Sequence, residues 1–249
     1  MNIIVPIKQV PDTGINIQIK ENQINESSLK WIISPYDEFA LEESLKLKSQ
    51  WGGKLFVISL GLERAKEALL TGLALGADEA IHLVTKTNPQ DPLSVAEALA
   101  IKIKEISEIS LIFCGKLSTD FNNFAVPQML AHLLDFPFVS NVNQLEYKDD
   151  SFLLKRECGA GVEELLKAQT PLLISADKGL SQARYPSLPG IMKAKKKPFH
   201  TEKIDISPRF QIKTLKAPSK KSAPLLIEGS PVEQVSTLVK ILREKEKLL

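Results

Sequence analysis

The stretch KLFVISLGLERAKEALLTGLALGADEAIHLV, residues 54–84, decides the fold class. The apolar run from Lys54 to Leu60 predicts a buried strand, and the run from Glu79 to Val84 predicts a second one. Between them, Glu63 to Leu75 predicts a helix that ends at Gly76, a residue type common at helix ends. A strand, a helix and a strand in sequence predict two parallel strands joined by a crossover helix.

The same alternation continues toward the N-terminus. Asn2 to Lys8 is an apolar run that predicts another buried strand. A helix is predicted to begin at Ser34-Pro35-Tyr36-Asp37 and to end at Trp51. Ser34 is expected to cap its free amide groups, Pro35 suits the first helical position, and Asp37 completes a pair that resembles a capping box.

Beyond residue 84 the alternation continues and then changes. The elements predicted there are a helix from Asp91-Pro92, a strand at 110–115, a short helix at 126–134, strands at 138–147 and 152–158, and a last core strand at 171–176. Alternating strands and helices indicate a parallel sheet covered on both faces. The two strands after residue 138 follow each other around a turn and predict an antiparallel addition.

The C-terminal part differs in character. Residues 199–229 show little apolar periodicity, and Ser230-Pro231-Val232-Glu233 predicts the start of a final amphipathic helix. We therefore predict an α/β domain over residues 1–198 and an arm with a helix over residues 199–249. The fold class is a three-layer α/β sandwich with a mostly parallel sheet. The arm is expected to pack on a partner subunit or to fold back on its own domain.

Composition limits the classes of function. The 249 residues are 43% hydrophobic, and no apolar run reaches the roughly 18 to 20 residues of a membrane-spanning helix. The N-terminus lacks the pattern of a secretory signal, so a cytoplasmic location is expected. Residues 1–192 carry 18 Lys and Arg against 24 Asp and Glu, whereas residues 193–249 carry 14 against 6. Such a basic piece is more often solvated surface or a contact with an acidic partner than a nucleic-acid site.

Motifs for catalysis or metal binding are not found. Cys114 and Cys158 lie far apart and are expected to be buried and reduced. Gly159-Ala160-Gly161 is only a fragment of a dinucleotide-binding motif, and there is no P-loop. The three histidines have no spacing that indicates a metal site or a catalytic pair: His82 in a strand, His132 in a helix and His200 in an irregular segment. We expect a binding protein without catalytic residues of its own.

The segment DKGLSQARYPSLPGIMKAKKKP, residues 177–198, directly follows a core strand and shows neither helical nor strand periodicity. It contains five large apolar residues: Leu180, Tyr185, Leu188, Ile191 and Met192. A long ordered loop with apolar side chains indicates a binding surface. The alternative is a connector that buries these residues against its own domain.

Several stretches in the right order carry a family resemblance. They are VPIKQVPDT (5–13), SPYDEFALEESLKLK (34–48), GLALGADEAIHL (72–83), the GK-x-x-x-D stretch (115–120) and RYPSLPGIMKAKKKP (184–198). Together they resemble the beta subunit of electron-transferring flavoproteins. The resemblance covers most of residues 1–198, and its last motif is very specific.

The resemblance implies a heterodimer with an alpha subunit that holds most of one FAD, while the beta subunit binds a structural AMP. Electrons then pass from flavin dehydrogenases of the acyl-CoA dehydrogenase type to a quinone oxidoreductase, as in fatty acid oxidation. The flavin supplies the redox chemistry. One alternative is an electron-bifurcating variant with a second FAD in the beta subunit, and another is a free-standing nucleotide-binding regulator. A eukaryotic source would imply the mitochondrial matrix.

Open parallel sheets bind ligands at the carboxyl ends of their strands, which points to the loops after Ile7, Leu60 and Gly115. The family's nucleotide pocket falls on the same places. Carried over by resemblance, it comprises Pro6, Ile7, Lys8, Ser34, Pro35, Tyr36, Asp37, Leu60, Gly115, Lys116, Leu117, Ser118, Thr119, Asp120, Asn122, Asn123, Phe124, Ala125 and Val126.

Two departures from the family pattern bear on function. Leu117, Phe121, Phe124 and Ala125 replace smaller or polar residues, so the AMP site is expected to be weakened, altered or empty. The recognition loop of the family falls on residues 177–192, and its anchoring leucine on Leu180. Ser-Gln-Ala follows that leucine where Asn-Glu-Pro is usual, so partner choice is expected to differ.

Overall fold

The structure is a computed structural model that describes residues 1–15, 17–21, 23–216 and 224–249. It divides into two compact units, Met1–Leu215 and Lys216–Leu249. The first unit holds the sheet and five of the helices described here, and the second holds the C-terminal helix.

The strands and helices alternate much as the sequence predicts. The strands are β1 (Asn2–Pro6), β2 (Gln9–Pro11), β3 (Ile19–Lys20), β4 (Gln23–Ile24), β5 (Trp31–Ile33), β6 (Lys54–Gly61), β7 (Glu79–Val84), β8 (Ile109–Gly115), β9 (Phe138–Lys148), β10 (Ser151–Glu157), β11 (Glu163–Ala168), β12 (Leu172–Ala176) and β13 (Phe199–Lys203). The helices are α1 (Pro35–Trp51), α2 (Lys66–Leu75), α3 (Pro92–Ile103), α4 (Val126–Leu134), α5 (Leu188–Ala194) and α6 (Pro231–Lys240).

Nine strands form one sheet in the order β11-β10-β9-β12-β8-β1-β6-β7-β13. Every pairing from β9 across to β13 is parallel, and β10 and β11 add to the β9 edge in antiparallel fashion. The predicted parallel sheet with an antiparallel addition is confirmed. The first strand, β1, lies between β6 and β8. From β1 the strand order runs through β6 to β7 on one side, and it then continues with β8 on the other side of β1. This reversal leaves a crevice at the carboxyl ends of the strands.

Side chains on β1 show how the three layers form. Ile3 and Val5 belong to one buried cluster, and Ile4 belongs to the other, because successive side chains of a strand point to opposite faces. Helices α1 and α2 contribute to the first cluster, whereas α3 and α4 contribute to the second. The predicted three-layer sandwich is confirmed.

One difference from the sequence prediction is β13, within a segment predicted to be irregular. Phe199 pairs with Ala80 of β7, and His200, predicted to lie outside regular structure, is also in this strand. The compact unit therefore continues to Leu215 and does not end at residue 198. Only Phe199 of β13 is partly buried, so its side chains do not show the alternation that identifies most strands.

Helix α5 is a second difference, because it occupies part of a segment that lacks helical periodicity. The Ser187 side chain caps it by accepting a hydrogen bond from the N–H of Gly190. Only Ala194 of this short helix is buried, so no apolar stripe marks it in the sequence. The residues on either side of α5 bond to other helices. Arg184 Nε donates to Glu42 Oε1 of α1 at 3.0 Å, and Lys197 Nζ donates to the carbonyl of Leu73 of α2 at 2.9 Å.

The second unit contains the predicted final helix, α6. Its capping box is confirmed: the N–H of Ser230 donates to Glu233, and the Ser230 side chain accepts from the backbone at the same position. The side chains of Val232, Val235 and Leu238 are exposed. Their helical spacing gives α6 an apolar stripe, which is the feature that the sequence predicts.

The antiparallel addition is held by an aromatic cluster, which gives a test of the fold. The Phe152 ring is fully buried, with its centroid 5.3 Å from Trp51 and 5.0 Å from Tyr147. Phe152→Ala is expected to lower the free energy of unfolding by about 3 to 5 kcal/mol, because it removes a large side chain and leaves a cavity. Urea unfolding followed by circular dichroism measures the change.

The neighbouring Leu153 on the opposite face is the matched control, since 43% of it is exposed. Leu153→Ala is expected to cost less than about 1 kcal/mol. Equal losses for the two variants would contradict the assignment of faces on β10.

Candidate functional site

A cleft opens at the carboxyl edge of the parallel sheet, above the ends of β1, β6 and β8. Its cavity volume is about 100 Å³. Eleven of the residues predicted for the nucleotide pocket line it: Pro6, Ile7, Lys8, Asp37, Leu60, Gly115, Leu117, Ser118, Asn123, Ala125 and Val126. Residues from four separate stretches of the chain thus meet at one place.

Asp37, in the first turn of α1, ties the strand ends together. Its Oδ2 accepts the N–H of Lys8 at 2.8 Å, and its Oδ1 accepts the N–H of Gly115 at 3.1 Å. Gly115 is needed here, because a Cβ atom at this position would overlap Asp37 and the backbone of Tyr36. The carboxylate therefore fixes the ends of β1 and β8 relative to α1.

The pKa of Asp37 is raised from 3.8 to about 7. Burial is the main cause, since it removes water from the charged form. The hydrogen bonds from Lys8 and Gly115 and the charge of Lys8 act in the opposite direction, and the charge of Asp120 raises the pKa further. A carboxyl group with a pKa near neutrality thus forms part of the cleft wall.

Ser34 was predicted to cap α1, and this detail is wrong. The Ser34 side chain makes no capping hydrogen bond; its hydroxyl instead donates to the carbonyl of Leu117 at 3.4 Å. The Asp37 carboxylate likewise accepts hydrogen bonds from N–H groups outside the helix, those of Lys8 and Gly115. Both side chains link the helix start to neighbouring loops, so long-range contacts replace the local ones.

Lys8 carries the positive charge among the cleft-lining residues. Its Nζ lies 2.6 Å from Asp120 Oδ2 and donates to Ser118 Oγ at 3.4 Å. The same nitrogen lies 4.5 Å from the centroid of the Phe121 ring. The loop after β8 thus wraps around the lysine with a carboxylate, a hydroxyl and an aromatic face.

The side chain of Lys116 contacts a different set of residues. Its Nζ pairs with Asp177 Oδ1 at 2.6 Å and lies 5.0 Å from the Tyr36 ring centroid and 5.8 Å from that of Phe124. Its backbone N–H donates to the carbonyl of Ala176 at the end of β12. Lys116 therefore joins the loop after β8 to the start of the segment 177–198.

The remaining predicted pocket residues surround the cleft without lining it. They are Ser34, Pro35, Tyr36, Lys116, Thr119, Asp120, Asn122 and Phe124. Other lining residues were not predicted from the sequence: Ile58, Pro89, Gln90, Pro92, Val95, Leu99, Cys114, Phe121 and Pro127. Five of these follow β7, whose carboxyl end lies on the same edge of the sheet. The loop after β7 was a signal for Pro89 and Gln90, whereas Pro92, Val95 and Leu99 lie in α3.

Comparison with known proteins agrees with this geometry. A family model described as "Electron transfer flavoprotein domain" matches residues 22–207. The chain belongs to the electron transfer flavoprotein family. Electron transfer flavoprotein subunit beta of Bacillus subtilis is 36% identical over the whole length of both chains. The protein of the same name from Bradyrhizobium diazoefficiens is 34% identical over 100% of both chains. The mouse protein of this name is 31% identical over 98% of this chain and 97% of its own length.

The predicted resemblance to the beta subunit of the electron transfer flavoprotein family is therefore confirmed. Within the described parts of the chain, no three His, Cys, Asp or Glu residues are grouped to hold a metal ion. None of the helices in those parts is long and apolar enough to cross a membrane.

The two cysteines of this flavoprotein-family chain lie in different environments. Cys114 is buried, and burial raises the pKa of its thiol. Cys158 is exposed at the turn between β10 and β11, so its predicted burial is wrong. The Gly159-Ala160-Gly161 stretch forms the same turn, where the N–H of Cys158 donates to the carbonyl of Val162 at 2.8 Å. The stretch therefore forms a turn, and β11, not a helix, follows it.

The apolar residues of the segment 177–198 fall into two groups. Leu180 is half-buried and packs against the first core cluster. Tyr185, Leu188 and Met192 are exposed, with 98% of Tyr185 accessible. The segment thus contains both a residue that anchors it to the core and side chains directed to solvent.

The pKa of Asp37 leads to a test based on pH. Between about 4 and about 7 the unfolded chain loses this proton while the folded chain keeps it, because the folded pKa lies above the ordinary value of 3.8. Ionisation therefore favours the unfolded chain, and stability is lost as the pH rises, by at most ~1.4 kcal/mol per pH unit. Urea unfolding across this range measures the free energy of unfolding.

Asp37→Asn cannot ionise and is expected to flatten the pH dependence in this window. The variant is also expected to be less stable at acid pH, because an amide group has one acceptor atom in place of two. Parallel pH dependence of the two proteins would show that Asp37 is not the group responsible.

Proposed function

We propose that this chain is the beta subunit of a heterodimeric electron transfer flavoprotein, with FAD held mainly by an alpha subunit. The observation that carries this proposal is the similarity to proteins named electron transfer flavoprotein subunit beta over their full length. In this role the chain carries no acid, base or nucleophile for the redox step. Bound FAD supplies that chemistry, and the protein positions it.

The cleft above β1, β6 and β8 supports a nucleotide site in this subunit. Its lining is mainly apolar and includes Leu60, Val95, Leu99, Phe121 and Val126. Such walls suit the flat faces of a purine ring. The cavity of about 100 Å³ is small beside the ~300 to 1,000 Å³ of typical ligand pockets, so the cleft encloses only part of a nucleotide.

The exposed apolar stripe of α6 supports a contact with the alpha subunit. Val232, Val235 and Leu238 are exposed at helical spacing, which suits packing on another protein surface. The surrounding piece of chain is basic, with 14 Lys and Arg against 6 Asp and Glu in residues 193–249. We place residues 199–249 mainly at this contact, with β13 as the part that remains in the sheet.

The segment 177–192 is assigned to docking of redox partners. These are flavin dehydrogenases of the acyl-CoA dehydrogenase type as electron donors and a quinone oxidoreductase as acceptor. Exposed Tyr185, Leu188 and Met192 beside basic side chains support a protein-binding surface here. Leu180 is proposed as the anchoring residue; it is half-buried against the first core cluster, which supports a fixed position before docking.

Co-expression with an alpha-type partner tests the assignment. The purified heterodimer is expected to contain one FAD and less than one AMP, both measured after denaturation by absorbance and chromatography. Two FAD molecules per heterodimer would identify the electron-bifurcating alternative. A monomer that forms no flavin-containing complex with the alpha subunit would refute the proposal.

Leu180→Ala tests the docking role. The variant heterodimer is expected to keep its FAD but to be reduced several-fold more slowly by an acyl-CoA dehydrogenase, because anchoring side chains contribute much of a small interface's affinity. Stopped-flow absorbance of the flavin measures the rate. Leu165→Ala, which shortens a leucine that is 83% exposed on β11, serves as the control. An unchanged rate for Leu180→Ala would exclude this residue from docking.

A further inference from the structure

The segment 177–192 leaves the sheet directly beside the loop that follows β8. Strand β12 pairs with β8 in parallel, and the last residues of the two strands, Ala176 and Gly115, are partners in this pairing. The next residue after β8 continues the contact, because the N–H of Lys116 donates to the carbonyl of Ala176 at 3.0 Å. The first residues of the loop and of the segment, Lys116 and Asp177, are therefore neighbours.

Lys116 and Asp177 form an ion pair that is largely shielded from solvent. The Lys116 Nζ atom lies 2.6 Å from Asp177 Oδ1, with 18% of the Lys116 side chain and 13% of the Asp177 side chain accessible. Solvent screens a partly buried pair of this kind less than it screens a surface pair. The Tyr36 ring, whose centroid is 5.0 Å from the ammonium, adds a cation–π contact. The lysine is thus held in one position at the start of the segment.

Asp177 also determines the shape of the turn with which the segment begins. Its N–H donates to the carbonyl of Val142 in β9 at 2.8 Å. Its Oδ1 atom accepts the N–H of Lys178 at 2.6 Å, and its carbonyl accepts the N–H of Leu180 at 3.4 Å. A displacement of the Asp177 side chain would therefore change the direction in which the following residues leave the sheet.

The residues after this turn have few other polar contacts. The next ion pair along the segment is that of Arg184, whose Nε donates to Glu42 Oε1 at 3.0 Å. Between Asp177 and Arg184, the buried Ser181 hydroxyl has no hydrogen-bond partner within the described parts of the chain. Leu180 adds an apolar contact with the first core cluster. The conformation of this stretch therefore depends strongly on how Asp177 is held.

We propose that Lys116, acting through Asp177, is the positioning residue of the segment 177–192 in partner docking. The ion pair fixes the direction in which the segment leaves β12, so that the segment meets a flavin dehydrogenase already in its binding conformation. Such preorganisation lowers the cost of binding, because fewer groups must be ordered at the interface. The proposal rests on the proposed function, in which this segment docks redox partners.

Hydrogen–deuterium exchange of the full chain tests the positioning step. Asp177→Asn removes the negative charge of the pair and is expected to raise amide exchange in residues 178–183 by about threefold or more, because local opening becomes easier when a fixing contact is lost. Mass spectrometry of peptides that cover this stretch measures the change.

Reduction of the heterodimer by an acyl-CoA dehydrogenase tests the docking step. With the heterodimer as the varied substrate, Asp177→Asn is expected to raise KM by about fivefold, the size of the cost of ordering one or two side chains on binding. The rate at saturating heterodimer is expected to stay the same, because the segment is ordered once the complex has formed.

Variants of Lys116 separate its charge from its packing. Lys116→Arg keeps the charge and is expected to keep the KM of the unaltered protein. Lys116→Met keeps an unbranched side chain without the charge and is expected to raise KM as Asp177→Asn does. The double variant Lys116→Met with Asp177→Asn is expected to show no further increase over either single variant, since two residues of one pair do not act additively.

Glu163→Gln is the matched control. It removes one carboxylate from the ion pair with Lys155, in which Nζ lies 2.7 Å from Glu163 Oε2 and 49% of the Glu163 side chain is accessible. The change in net charge equals that of Asp177→Asn. This control is expected to change neither the exchange of residues 178–183 nor KM.

Three results would overturn the proposal. They are unchanged exchange of residues 178–183 in Asp177→Asn, an unchanged KM in a variant whose exchange has risen, and an equal rise of KM in Lys116→Arg and Lys116→Met. The last result would show that the charge of the lysine is not what positions the segment.

Failure of the proposed function gives a different result. An unaltered chain that forms no flavin-containing heterodimer would lose the electron-carrier role, and this proposal with it. A chain that forms the heterodimer and is reduced by the dehydrogenase, but whose KM responds to neither Asp177→Asn nor Lys116→Met, would retain that role and lose only this proposal.

Discussion

The position of one carboxyl group determines the geometry of the functional edge. Asp37 accepts hydrogen bonds from the ends of β1 and β8, the two strands next to the reversal of the sheet. The contact requires a glycine at residue 115 and places the start of α1 directly against the cleft. Burial raises the pKa of this acid despite its two backbone hydrogen bonds, so the arrangement costs stability near neutral pH. This cost arises where the ends of β1 and β8 are held against α1.

The sequence predicted most of the fold because buried parallel strands leave a clear pattern. In the stretch 54–61, every residue of β6 after Lys54 is buried, and such a continuous apolar run is typical of a strand covered on both faces. The same reasoning failed for β13 and α5, which lie at an edge and on the surface. Their stability comes from backbone pairing and a few polar contacts, and those leave little trace in the order of apolar residues.

The location of the candidate site was predicted for a similar reason, since strand ends of an open parallel sheet converge. The individual contacts were not. Lys8 and Asp120 are 112 positions apart, and nothing in their neighbourhoods indicates that they meet. Asp120 was assigned to the pocket, yet its side chain engages Lys8 and does not line the cavity. Sequence patterns indicate where a site lies, whereas the state of its charges depends on contacts between distant residues.

Residues 177–198 have both ends fixed in the same sheet, at β12 and at β13. Between these ends, Arg184 is bonded to α1 and Lys197 to α2. The segment is therefore held to the domain at four places, and most of its conformational entropy is lost when the chain folds. The docking proposed for this segment would therefore need little further ordering of the chain, which permits a small contact area to give rapid and reversible association.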